Sequence, residues 1–300
     1  MQDIEFLSSH MELLMSHSKV CVITGASRGL GAILSKRFWE DGYSLHLIAR
    51  SNESLEKIKR SLQERDNQKC WIYSCDLGSM QSINRLVNTL KSNCDGLDVL
   101  INNAAIQGPI GPLWKNDLDA WRHAIEVDLL APVWLCSGLL PLMQKNGSGS
   151  IINLSGGGAT GPRPNFSAYA TSKAGLVRFS ETLAVELLPF NIRVNCVAPG
   201  AMPTEMLSEV VSKGCETAGE MEFFLANKTL SEGMSTMQAV VDLTLFLASS
   251  KSAGITGKLI SAKWDQWANW HEHAIELMSS DVYTLRRIVG GDRNMAWGDK

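Results

Sequence analysis

What this chain has little of narrows its class first. No uninterrupted apolar run is long enough to span a bilayer. The longest, residues 129–143 (LLAPVWLCSGLLPLM), is broken by Pro132, Ser137, Gly138 and Pro141, and no membrane partner is expected. No two of the seven cysteines have CxxC spacing, so no metal site is expected. Their odd number fits reduced thiols rather than a disulfide framework, as does the place of Cys21 and Cys196 inside apolar, strand-like runs. There is no basic excess: 28 Lys and Arg face 31 Asp and Glu, and no nucleic-acid partner is expected. The first residues carry Asp3 and Glu5 and lack a basic stretch followed by a long apolar core. No secretion signal is expected there, and the expected location is cytoplasmic. Nine Pro and 25 Gly in 300 residues are too few for a low-complexity chain.

What is present is an alternation. Short apolar runs at 19–24 (KVCVIT), 43–49, 70–75, 98–102, 151–154, 192–197 and 258–261 read as strands. Amphipathic stretches at 32–41, 53–65, 79–91, 118–144 and 167–188 read as the helices between them. Strands that alternate with helices, and are apolar almost throughout, predict an α/β fold. It is one Rossmann-like, doubly wound parallel sheet with helices on both faces. A single domain is expected over 19–262. An N-terminal extension (1–18) precedes it, and a Trp-rich C-terminal extension (263–300), expected to be helical, follows.

The first strand runs into TGASRGLG, residues 24–31. A glycine turn between strand and helix lets backbone approach a pyrophosphate, and the helix N-terminus offers unpaired N–H groups. No Gly-Lys-Ser/Thr follows, which sets it apart from a P-loop. The spacing of Gly25, Gly29 and Gly31 resembles the first turn of the short-chain dehydrogenase/reductase family, TGxxxGxG. The resemblance runs over 19–261 and takes in Asp76-Leu77 after the third strand and Asn102-Asn103-Ala104-Ala105 after the fourth. It implies a nicotinamide dinucleotide held by Gly25, Ser27, Arg28, Gly29, Leu30 and Gly31, by Asp76 and Leu77, and by Asn103, Ala104 and Ala105. Where an acid would hydrogen-bond the ribose of NAD, the second strand ends in Ala49-Arg50. Arg50 and Arg28 can clamp a 2′-phosphate, so NADP(H) is expected over NAD(H).

Tyr169 and Lys173 stand at i and i+4 in SAYATSK, on one face of a helix. A phenol is a poor acid or base near neutrality, and a neighbouring ammonium is expected to bring it toward the working range. In the resembled family this tyrosine is the general acid/base, and the lysine also holds the cofactor. The family's loop after the sixth strand matches Pro199, Gly200 and Thr204 as further cofactor contacts, with 206–224 as a lid over the substrate.

Two positions depart from the family. Its carbonyl-polarising serine falls on Gly156, with Ser155 one residue early. Such a shift turns a side chain to the other face of a strand, so Ser155 serves only if the backbone bends at Gly156-Gly157-Gly158. A backbone N–H of that run is the other candidate. The family's relay asparagine is here Asp128. The catalytic set implied is therefore Tyr169, Lys173, Ser155 and Asp128. It would interconvert a carbonyl and a secondary alcohol on a small polar, sugar-like substrate, with an epimerase or dehydratase, or a non-catalytic nucleotide-binding protein, as alternatives. Trp264, Trp267 and His271 have the spacing of one helix face, which either packs on the domain or walls the substrate pocket. The family implies assembly of two or four copies through the helices after strands four and five.

Overall fold

Alternate residues of each strand feed two separate cores. The computed structural model describes residues 18–232 and 235–295. Its strands are β1 Val20–Thr24, β2 Ser44–Ala49, β3 Cys70–Ser74, β4 Val99–Asn102, β5 Gly149–Leu154, β6 Ile192–Ala198 and β7 Leu259–Ser261. Between and after them lie α1 Gly29–Glu40, α2 Asn52–Arg60, α3 Met80–Asn93, α4 Leu118–Ile125, α5 Ala131–Asn146, α6 Ser167–Glu186, α7 Glu205–Ser212, α8 Cys215–Ala218, α9 Glu220–Glu232, α10 Ser235–Ala248 and α11 Ala274–Met278. Ile23, Leu47 and Ile101 meet Leu34 and Phe38 of α1 and Val240 and Leu247 of α10 on one face. Val22, Ile48 and Leu100 meet Ile83 and Leu90 of α3 and Leu135 and Leu139 of α5 on the other. A strand covered on both sides needs both parities apolar, which is why these strands read as unbroken apolar runs. The doubly wound parallel sheet is the fold observed.

The strand order is β3-β2-β1-β4-β5-β6-β7, every pair parallel. The order reverses between β1 and β4, so the connections leave toward opposite faces there. A crevice opens beyond the carboxyl ends of those two strands.

Helices α4 and α5 are continuous through a π-helical turn at Glu126–Leu130. The combined helix, Leu118–Asn146, is long and apolar enough to cross a membrane by length and composition alone. Its apolar residues Leu135, Leu139 and Met143 are buried against the sheet, which accounts for them without a bilayer. The prolines that break the run in sequence do not break the helix. Pro132 lies in the first turn of α5, and Pro141 is carried inside it.

The C-terminal extension, expected to be helical, is built of short helical pieces among its described residues. It forms a 3-10 turn at Trp267–His273, the short α11, and a second 3-10 turn at Gly290–Arg293. Trp270 is buried 4.4 Å from the ring of Tyr283 and joins the first core with Leu277. Trp267 packs on Phe246, whereas Trp264 is 76% exposed, so the two do not share a packed face. The Tyr283 carbonyl accepts the Leu259 N–H at 2.8 Å, and buried Lys258 donates to the carbonyls of Ser280 and Val282, each at 3.0 Å. The extension thus covers the open edge of β7, a row of backbone groups that would otherwise template another strand. Trp297 and the expected N-terminal extension, Ser18 apart, lie outside the described residues.

Trp270→Ala should therefore destabilise the chain by about 3–5 kcal/mol in denaturant unfolding, the cost of truncating a buried aromatic. Its nucleotide affinity, measured under conditions where it is folded, should be unchanged. A loss below 1 kcal/mol would show that the extension is not part of the core.

Candidate active site

The crevice is shaped by two side chains that join β1 to β4. Thr24 Oγ1 accepts the backbone N–H groups of both Asn103 and Ala104 at 3.0 Å. Asn103 Nδ2 donates back to the carbonyls of Thr24 (2.9 Å) and Gly25 (3.3 Å). Gly25 has φ +65, and a Cβ on it would meet the Ala104 Cα at 2.9 Å. A Cβ on Gly31 would lie 2.1 Å from the Gly25 carbonyl oxygen. Only glycine allows the turn, α1 and the β4 loop to close up this far. Arg28 caps α1 with no side-chain hydrogen bond and no acid follows in the first turn, so the positive end of the helix stays available to an anion.

A cavity of about 400 Å³ lies along this junction. Every expected cofactor residue of the glycine turn lines it, from Gly25 and Ser27 to Gly31, together with Arg50, Asp76, Leu77, Asn103, Ala104 and Ala105. Pro199 and Thr204 line it as well. Gly200 does not: its φ of +77 makes the turn between them instead. Arg28 and Arg50 share the wall with Ala49, and no carboxylate stands at the end of β2. Glu205, at the start of α7, forms an ion pair with Arg28 across the cleft, a contact that sequence reasoning missed. The close-packed glycines, the open helix end and the two guanidiniums suit a dinucleotide carrying phosphate.

Tyr169, Lys173 and Ser155 line the other end of the cavity. Lys173 is buried, donates to the Leu154 carbonyl at 2.9 Å, and lies 3.9 Å from Asp128 and 5.5 Å from the centre of the Tyr169 ring. Asp128 stands behind the lysine rather than in the wall. The π-turn carries it inward, and its Oδ1 accepts the Ile106 N–H at 2.8 Å. Burial pushes the Asp128 carboxyl up to about 6, against the pull of the Lys173 ammonium and the Ile106 N–H. Burial also pulls the Lys173 ammonium down, against the opposing charge of Asp128. The phenol of Tyr169 is pushed above its ordinary value by burial and then by Asp128, with the Arg163 guanidinium opposing. The lowering expected from Lys173 is outweighed by that burial, with the ammonium bonded to the Leu154 carbonyl and set against Asp128.

The geometry also bears on Ser155 and Gly156. The Ser155 N–H still donates to Val197 at 2.8 Å, in the ladder of β6. Its Oγ is buried and has no hydrogen-bond partner among the described residues, so it does not bond Tyr169. A Cβ on Gly156 would lie 2.3 Å from Tyr169 Oη. Position 156 is thus the one that faces the tyrosine, as the ungapped spacing implies, and the hydroxyl of Tyr169 lies where its missing side chain leaves room.

The comparisons with known proteins agree. The family model described as short chain dehydrogenase matches residues 19–214. The chain belongs to that family. Dehydrogenase/reductase SDR family member 4 of Pongo abelii is 30% identical over 243 residues, 81% of this chain and 85% of that protein. An NAD+-bound xylitol dehydrogenase superposes with a TM-score of 0.73 at 25% identity, covering 82% of this chain and 98% of its own. A short chain dehydrogenase from Shigella flexneri, solved with NADP, has a TM-score of 0.70 at 24% identity over 82% of this chain and 98% of its own. The chain is an oxidoreductase of a family that uses nicotinamide cofactors.

The family fold brings in residues that motif reading passed over. Ile106, Met202 and Met206 line the cavity with Leu154 and Val127, so this part of its wall is apolar. None of residues 263–295 lines it, so the described part of the Trp-rich extension packs outside the pocket. Arg163, in the loop before α6, bonds Glu222 of α9 through two nitrogens, a pairing across 59 residues with no periodic signal.

The raised Asp128 carboxyl has a signed consequence for stability. Folded Asp128 holds its proton to higher pH than the unfolded residue, so folding binds protons between about pH 4 and about pH 6. Its contribution favours the fold below that window and is lost as pH rises through it. Stability of the chain relative to Asp128→Asn should therefore fall across this range, measured by urea unfolding at each pH. A constant difference would show that Asp128 is ionised throughout.

Proposed function

We propose that the chain is an NADP(H)-dependent oxidoreductase that interconverts a carbonyl and a secondary alcohol, with Tyr169 as general acid/base and Lys173 as its electrostatic partner. The observation that carries this reading is the meeting of Tyr169 and Lys173 at one end of a cavity whose other end holds Arg28, Arg50 and the glycine turn. The bound cofactor supplies the hydride or accepts it. The chain positions the substrate oxygen against Tyr169 Oη, which donates a proton as negative charge develops there. A phenol protonated at working pH can make that donation. Buried Lys173 supplies the positive charge that steadies the phenolate left behind.

Ser155 Oγ, buried, unpartnered and in the same wall, is the group available to a carbonyl oxygen beside Tyr169. Asp128 keeps the Lys173 charge in place from behind. The substrate expected from the sequence was polar and sugar-like, and that expectation leaned on the Trp-rich end. With Ile106, Met202 and Met206 in the wall instead, the reading shifts to a carbonyl on a mainly apolar body.

Arg28 and Arg50 reach the cavity with no competing acid at the end of β2, which supports NADP(H) over NAD(H). Arg50→Ala should lower the NADP-to-NAD affinity ratio at least tenfold, the scale of one lost charge-assisted bond to phosphate. An unchanged ratio in calorimetric titration would remove the assignment. Tyr169→Phe should cut NADPH-dependent turnover of a panel of ketones and aldehydes by roughly 10²–10⁴-fold while leaving NADPH affinity intact. Turnover that survives the substitution would leave a nucleotide-binding chain whose chemistry lies elsewhere. Reduction that consumes NADPH in step with product would exclude an epimerase or dehydratase that regenerates its cofactor.

A further inference from the structure

The loop between β5 and α6 carries one charged side chain that faces the reacting end of the pocket from outside its wall. Arg163 points its fork at Glu222 of the lid helix α9, Nε to Oε1 at 3.0 Å and Nη2 to Oε2 at 2.7 Å. The pair is largely sheltered, with 15% and 28% of the two side chains exposed, so it is not a solvated surface bridge. The same guanidinium lies 3.9 Å from the centre of the Phe166 ring and 5.5 Å from that of Tyr169. Phe166 is fully buried with Val210, Ala218 and Ala226 of α7, α8 and α9, so lid and loop share one small core beneath the pair.

We propose that Arg163 is a positioning residue for Tyr169: its guanidinium is a second positive charge beside the phenol, and its fork to Glu222 ties the lid to that charge. The proposal rests on the reading of Tyr169 as acid/base. It follows from what this site lacks. Gly156 supplies no hydroxyl next to Tyr169, and Ser155 Oγ does not bond it. The charged groups that face the phenol are Lys173 on its own helix, 5.5 Å from the ring centre, Asp128 from the π-turn and Arg163 from the loop, with Glu222 behind Arg163 on α9 and His123 of α4 acting on Asp128. Asp128 is set against Lys173, 3.9 Å away, so Lys173 alone leaves the phenol facing an almost neutral pair. Arg163 is the cation that Asp128 does not offset. Glu222 offsets it instead, and Glu222 belongs to the lid, so the position of α9 and the ease of ionising Tyr169 are coupled.

The coupling has opposite signs at its two ends, which a merely structural clamp does not. Removing the charge of Arg163 makes the phenolate harder to form, and removing that of Glu222 makes it easier. The experiment is NADP-dependent oxidation of a secondary alcohol at a fixed pH below the phenol's own range, where rate follows the phenolate fraction. Arg163→Gln should lower kcat roughly three- to tenfold, and Glu222→Gln should raise it by a similar factor. Arg163→Lys, which keeps the charge and loses the fork, should hold kcat near the parent value with a raised KM. Melting temperature and NADPH affinity serve as folding controls. If Arg163→Gln and Glu222→Gln move kcat in the same direction, or if Arg163→Lys behaves as Arg163→Gln, the charge role is overturned.

A readout without turnover separates this from the assigned chemistry. The chain has four tyrosines, so the ultraviolet phenolate signal of Tyr169 is obtained by subtracting that of Tyr169→Phe. At a fixed alkaline pH that preserves the fold, this signal should shrink in Arg163→Gln and grow in Glu222→Gln. A signal unmoved by either substitution overturns the proposal. A signal that moves as described in a chain with no carbonyl turnover upholds it and counts against the functional reading alone.

Discussion

The junction of Thr24 with Asn103 is the constraint on which the rest of the site depends. A parallel sheet whose order reverses between β1 and β4 leaves two strand ends side by side with their connections departing to opposite faces. The backbone N–H groups of Asn103 and Ala104 would be unpaired there, which a buried site does not tolerate cheaply. Thr24 Oγ1 takes both, and Asn103 returns two bonds to the glycine turn. That exchange fixes the turn against the β4 loop, and the missing side chain of Gly31 lets α1 aim its open end into the same cleft. The cavity lies beside this junction because Thr24 and Asn103 pair the backbone groups where the two strands part.

A second polar chain places α6. Asn102 Nδ2 donates to Asn153 Oδ1 at 2.8 Å, and Asn153 Nδ2 donates to Ser180 Oγ at 2.7 Å. All three are buried, one each on β4, β5 and α6. Apolar packing alone tolerates small slides of a helix on a sheet, whereas a buried hydrogen-bond chain loses a partner when the helix slips. This network, with Lys173 on the Leu154 carbonyl, sets the height of α6 along β5. Tyr169 then meets the end of the strand where Gly156 leaves it room.

The frame was legible in the sequence because its signals are local. A glycine turn between a strand and a helix, Asn-Asn at the end of β4, and Tyr and Lys one helical turn apart each occupy a few neighbouring residues. The seven strands follow from apolar runs for the same reason. What escaped was carried by contacts between distant segments. Arg163 and Glu222 are separated by 59 residues and belong to no pattern. The aromatic spacing at the C-terminus imitated a helix face, but the segment folds as 3-10 turns and irregular chain that hold the β7 edge. In the Ser155 and Gly156 pair the sequence showed the shift of one residue. It could not show that the tyrosine hydroxyl fills the gap.

The chemistry of the site follows from burying three titratable side chains together. Asp128 and Tyr169 are both pushed toward their protonated forms and Lys173 toward its neutral form, in each case chiefly by burial. Left to solvation alone, the cluster would shed its charges. Lys173 keeps one because Asp128 stands 3.9 Å behind it, and Asp128 is accommodated because Ile106 donates to it. Such a cluster is near neutral in total and gains most from its positive end when a new negative charge appears in front of it. In the proposed reaction, a carbonyl oxygen taking up hydride is a charge of that kind, developing where the phenol holds its proton. Burial keeps Tyr169 protonated in isolation, so it gives up its proton only to an oxygen on which negative charge is developing.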